Sequence, residues 1–135
     1  MKETWLWLQI GFTTLGGFVG WFLGGADGSL YTLLTFVIVD YLTGVLRAVI
    51  EKKLSSSIGA RGIAKKVMIF LLVGVAHMLD GEIIGSGNVI RDAVIFFYIS
   101  NEGISLLENT VKIGLPVPEK LKQILEQIQT KKEDK

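Results

Sequence analysis

The stretch DYLTGVLRAVIEKKLSSSIGARGIAKKV, residues 40 to 67, closes an apolar tract with an acid and then runs into a segment crowded with lysine and arginine. The tract begins at Leu30 and carries no charge before Asp40. A carboxylate set in such a run belongs on a helix that buries it against protein or water, because an ionised acid at bilayer depth costs at least about 2.5 kcal/mol. On a helix Asp40, Gly44 and Arg47 fall at i, i+4 and i+7, with Thr43 beside them, so one face carries all the polar groups. That face meets another helix as a structural partner, or it meets water in a pore or ion site.

The rest of the chain supports a membrane setting. Half of its 135 residues are hydrophobic and the mean hydropathy is +0.48, yet long tracts hold almost no charge. A first tract, Trp5 to Gly25, is uncharged and long enough to cross roughly 30 Å of hydrocarbon at about 1.5 Å per residue. With only Lys2 ahead of Glu3 and no small-residue cleavage site, it reads as a retained span rather than a signal peptide. The second tract is Ser29 to Ile50. The third, Ile63 to Ile84, opens on Lys65 and Lys66, which can snorkel to the interface, and carries His77 as a satisfied polar residue near Asp80. The fourth, Val89 to Leu107, is the least apolar, and an interfacial amphipathic helix competes with a span there. After Asn109, Pro116 and Pro118 precede Val117, Leu121, Ile124, Leu125 and Ile128 at helical spacing, then a charged end.

These tracts predict an all-α integral membrane protein. Four transmembrane helices, at about 5–25, 29–50, 63–84 and 89–107, make a domain over 1–109. A short cytoplasmic amphipathic helix and charged tail fill 110–135. Lys52, Lys53, Arg61, Lys65 and Lys66 mark a basic loop, from Glu51 to Gly62 and into the next span, that the positive-inside rule puts in the cytoplasm. Four spans then bring both termini inside, in agreement with the lysines between Lys112 and Lys135.

Two further patterns bear on assembly. Gly16, Gly20 and Gly24 repeat at four-residue spacing in the first tract, a stripe that lets a second backbone approach closely and points to contact between copies. In the fourth tract Tyr98, Asn101, Glu102, Ser105, Glu108 and Asn109 share one side, which offers a polar face to neighbouring helices or to a hydrated lumen. The absence of cysteine excludes disulfides and thiolate chemistry, and a single histidine makes a metal site improbable. No nucleophile and base pair, phosphate-binding glycine motif or continuous basic surface for nucleic acid appears, so the chain reads as a non-enzyme without cofactor.

The run Asp40-Tyr41-Leu42-Thr43-Gly44, then Lys52-Lys53-Leu54-Ser55-Ser56, Gly62, Lys65-Lys66 and Leu79-Asp80, resembles the toxin-secretion and phage-lysis holin family. The likeness continues through Asn101-Glu102-Gly103-Ile104-Ser105 to Gly114-Leu115-Pro116-Val117-Pro118. It implies a phage or prophage protein of the bacterial cytoplasmic membrane that partners the lipid bilayer and itself. It also implies homo-oligomeric lesions that release an endolysin or a toxin, without a required direct contact. The rivals are a small dimeric multidrug or ion transporter, an antiholin and a structural subunit of a larger membrane complex.

Overall fold

A computed structural model describes residues 1–133, with side chains through Gln127. The expected charged end at Asp134 and Lys135 and the side chain of Ile128 lie outside the described residues. Five α-helices follow one another: α1 (Lys2–Phe22), α2 (Gly28–Ile50), α3 (Ser56–Met78), α4 (Val89–Ile113) and α5 (Glu119–Glu133). Between α3 and α4 the chain widens into a π-helical turn, Leu79–Ile84.

Local chemistry fixes the ends. Asp27 caps α2, its carboxylate accepting from the Leu30 N–H at 2.9 Å, and the Ser55 hydroxyl caps α3 through Ile58 N–H at 3.3 Å. Because Ser55 starts α3, residues 56–62 are helical; the expected loop from Glu51 to Gly62 shortens to a tight turn in which Lys52 takes φ +57. Helix α4 takes its cap from a distance. Asp80, on the π turn, accepts from Ile90 N–H at 3.0 Å and Arg91 N–H at 2.8 Å. The widened turn swings the buried Asp80 carboxylate onto the start of α4, a device that periodicity does not disclose. Helix α4 then runs to Ile113, past the expected end at Leu107, and stops at Gly114 in the left-handed conformation, φ +105.

The core is a seam between α2, α3 and α4. Leu30, Leu33 and Val37 meet Ile69 and Val73 of α3 and Ile95 and Ile99 of α4, closed at one end by Leu23. Helix α1 buries none of its residues and joins this bundle only at its C-terminal end, where the Phe22 ring lies on Gly74 of α3 so closely that a Cβ there would overlap it.

The exterior is apolar, and ionic groups share the interior with the apolar seam. The most deeply buried side chains include Arg91, Asp80 and Ser100, whereas Trp7, Phe12, Leu34, Ile38 and Val75 lie on the outside. Among the described residues two helical stretches, Gly28–Ile50 and Ser56–Ile84, are long and apolar enough by themselves to cross a membrane. Helix α4 carries Arg91, Asp92, Glu102 and Glu108 among its apolar residues.

Candidate functional site

Two polar constructions sit inside the apolar bundle. The first is at the middle of α2. Asp40 lies 12 residues into that helix, about 18 Å along it, and is buried where α3 and α4 close over it. The Lys66 ammonium of α3 bridges two carboxylates, donating to Asp40 Oδ2 at 2.7 Å and to Glu102 Oε2 of α4 at 2.5 Å. Asn109, two helical turns further along α4, donates to Asp40 Oδ1 and to Thr43 Oγ1, each at 3.2 Å, and accepts from Arg47 Nη1 at 3.4 Å. Gly44 lies beside this amide, and a Cβ there would stand at an ordinary contact distance of 3.6 Å from Asn109 Nδ2. Two carboxylates on one ammonium leave a formal charge of −1, and Arg47, reached through Asn109, is itself paired with Glu51 at 3.1 Å. Every member therefore has a charged or hydrogen-bonding partner, which is the condition for keeping ions out of water.

Two cavities flank the cluster. One, about 210 Å³, runs between Tyr41, Val45, Ile58 and Gly62; the other, about 350 Å³, opens between Lys65, Asn101, Ile104 and Glu108. Both reach Asp40, Lys66 and Ser105. Chemically the cluster can hold or exchange a charge.

The second construction ties the other end of the bundle. Arg91 is 0% exposed. Its guanidinium donates to Leu23 O at 2.6 Å, to Gly25 O at 2.9 Å and to both oxygens of Asp27 at 2.7 and 3.3 Å. It thus stitches the α1–α2 turn to the first turn of α4. The hydrogen bond from Arg91 holds the Asp27 carboxyl down to about 2. A depressed carboxyl contributes its full stability above the usual carboxylate range and loses it only as pH falls toward 2.

Several expected site residues stand elsewhere than their spacing indicated. Gly16 and Gly20 face open space, with nothing within 4 Å of a Cβ at either, but Gly24 leaves the stripe. It lies beyond the end of α1 at φ +84, and a Cβ there would press on Arg91 and on His77 Nδ1. His77 is not satisfied through Asp80. Its Nδ1 is buried without a hydrogen-bond partner among the described residues, while Asp80 is used on α4. Of the basic-loop residues, Lys52, Lys53, Arg61 and Lys65 are exposed, but Lys66 turns inward to the carboxylates. The polar side of α4 divides: Glu102 and Asn109 are buried against Asp40 and Lys66, Tyr98 and Ser105 are half-buried, and Asn101 and Glu108 are exposed. Arg91 and Asp27 were missed as a pair, and only knowledge of which helix ends meet could have joined them.

Among the described residues no group of three or more His, Asp or Glu side chains could hold a metal ion. The sequence matches the bacteriophage holin family over residues 17–130. It is 45% identical over 126 residues to an uncharacterised 14.9 kDa protein in the nagH 3′ region of Clostridium perfringens, covering 93% of this chain and 96% of the relative. It is 45% identical over 118 residues to the uncharacterised protein Lin0175 of Listeria innocua, covering 87% and 84%, and 35% identical over 133 residues to YqxH of Bacillus subtilis, covering 98% and 92%. No solved structure matches the chain at a significant level.

Proposed function

The chain belongs to the bacteriophage holin family, and from that premise we propose that it acts as a holin: it gathers in the bacterial cytoplasmic membrane and opens homo-oligomeric lesions that let an endolysin, or in some settings a toxin, through. The observation that carries this reading is the large apolar exterior of a bundle that keeps ion pairs inside. α1 through α4 then span, with both termini and the Lys52–Lys53 turn in the cytoplasm. Trp5 and Trp7 near one end of α1 and Trp21 at the other suit the two interfaces of such a span. Helix α1 supplies the contact between copies. Its Gly16 and Gly20 strip meets nothing within the protomer, and close backbone packing is a main source of helix association in lipid.

Induced expression in a bacterium, with and without a co-expressed endolysin, tests the proposal. Growth arrest should come from the chain alone and abrupt lysis only with the enzyme. Gly20→Leu should leave insertion intact but delay lysis and thin the ladder of crosslinked oligomers. Undisturbed growth with intact membranes would refute the proposal, and delayed lysis in the presence of another holin would mark the chain as an antiholin. A second reading, a small ion-coupled transporter, is favoured by the Asp40–Lys66–Glu102 cluster between two cavities. It predicts proton-coupled export that fails on Asp40→Asn, without lethality.

A further inference from the structure

Between α3 and α4 the wall of the bundle opens into the cavity of about 350 Å³, within the range of small-ligand pockets, about 300–1,000 Å³. Its facing walls carry opposite charge: Lys65 and Lys66 stand on α3, Glu102 and Glu108 on α4, with Asn101 and Ser105 beside the acids. Lys66 is spent on Asp40 and Glu102. Lys65 and Glu108 are both exposed, and neither side chain has an ion-pair or hydrogen-bonding partner among the described residues. They border the same cavity without closing on each other. Lys65 lies two residues inside the apolar tract that begins at Ile63, and Glu108 one residue beyond the tract that ends at Leu107. With this end of the bundle in the cytoplasm, both charges reach the inner headgroup layer.

A cavity that holds a free ammonium and a free carboxylate on facing walls takes a ligand of complementary charge, with a phosphate for the first and a primary ammonium for the second. At headgroup depth one lipid class carries both. We propose that this cavity seats the headgroup of phosphatidylethanolamine, with Lys65 donating to the phosphate, Glu108 accepting from the ammonium, and the Asn101 amide and Ser105 hydroxyl supplying neutral partners. The acyl chains stay in the bilayer. Selectivity follows from the charges around the cavity. Asp40, Glu102 and Glu108 stand against Lys65 and Lys66, three carboxylates to two ammoniums, so the site resists a wholly anionic lipid such as phosphatidylglycerol. Phosphatidylcholine has the phosphate, but its methylated ammonium has no N–H to give Glu108. This seat depends on the membrane placement proposed above and not on lesion formation.

The full chain, purified in a neutral detergent, is mixed with equal amounts of phosphatidylethanolamine, phosphatidylcholine and phosphatidylglycerol bearing the same acyl chains, and the lipid retained on the protein is counted by native mass spectrometry. Phosphatidylethanolamine should be retained about tenfold over either competitor. Glu108→Gln should abolish its advantage over phosphatidylcholine while leaving phosphatidylcholine itself unchanged. Lys65→Gln should lower both several-fold, because both carry the phosphate. Each side chain is exposed, so neither change should disturb the bundle, which helicity checks. Equal retention of the three lipids, or a preference that survives in both variants, would overturn the proposal. So would displacement of the lipid by soluble phosphoethanolamine, which would give the site to a free zwitterion. Loss of protein dimers rather than of lipid in both variants would overturn it too, and give the cavity to a second copy of the chain. A chain that fails to float with vesicles would remove the membrane placement and the lipid seat with it, whereas a chain that floats yet shows no lipid preference loses the seat alone.

Discussion

Replacing Lys66 with methionine should destabilise the folded bundle by about 3–5 kcal/mol, because it leaves the Asp40 and Glu102 carboxylates facing each other without their common ammonium. The length and apolar stem of the side chain are retained, so the loss is electrostatic rather than steric. The same reasoning predicts a rescue. Adding Asp40→Asn and Glu102→Gln to Lys66→Met removes all three charges while keeping hydrogen-bonding groups of similar size. That triple variant should recover most of the lost stability, since neutral replacement of a whole buried ion cluster is often close to neutral. Unfolding of the purified protein in mixed micelles, followed by helicity, measures both. An unaltered midpoint for Lys66→Met would mean that the cluster is hydrated and contributes little. A triple variant as unstable as the single one would mean that Lys66 matters through its packing.

The second large effect falls at the opposite end. Arg91→Met should cost on the order of 3 kcal/mol by orphaning the buried Leu23 carbonyl and removing the partner that Gly25 O and Asp27 share at the rim. Arg91→Lys should recover only part of it, because an ammonium cannot reproduce a planar fork that reaches three residues at once. Asp27→Asn should cost far less, about 1 kcal/mol or below, since that carboxylate is half exposed and an amide still caps α2. The variants also separate in what they loosen. Losing Arg91 frees the α1–α2 turn from α4, so amide exchange should rise around Leu23 to Gly28 while the α2, α3 and α4 seam keeps its protection.

Much of this architecture could be read from residue spacing, and the exceptions share one cause. The helical tracts and the common face of Asp40, Gly44 and Arg47 follow from 3.6-residue periodicity, which is a property of one helix at a time. The identity of a partner on another helix is not. Lys66 reads as an interfacial lysine when the third tract is taken to begin at Ile63. With α3 starting at Ser56, the same residue lies two turns deeper in the helix, on the face that meets Asp40. Gly24 reads as part of a packing stripe, but α1 ends at Phe22 and the turn places it against Arg91 and His77. The Asp80 cap depends on a π turn, and the packing of Leu125 against Gly103 on α5 folding back. Both are tertiary facts with no periodic trace. The fourth tract reads as marginal because Arg91, Asp92, Asn101 and Glu102 count against it in any hydropathy sum, although the bundle supplies Arg91 and Glu102 with partners.

The most direct test of the account uses the purified chain alone in vesicles that trap a small dye and an enzyme-sized protein together. Above a threshold protein density both should be released at once, as a lesion wide enough for proteins requires, and below it neither should escape. Release of the dye with full retention of the protein would contradict it, and would leave a narrow ion or solute pathway through the Asp40–Lys66–Glu102 region as the function of the chain.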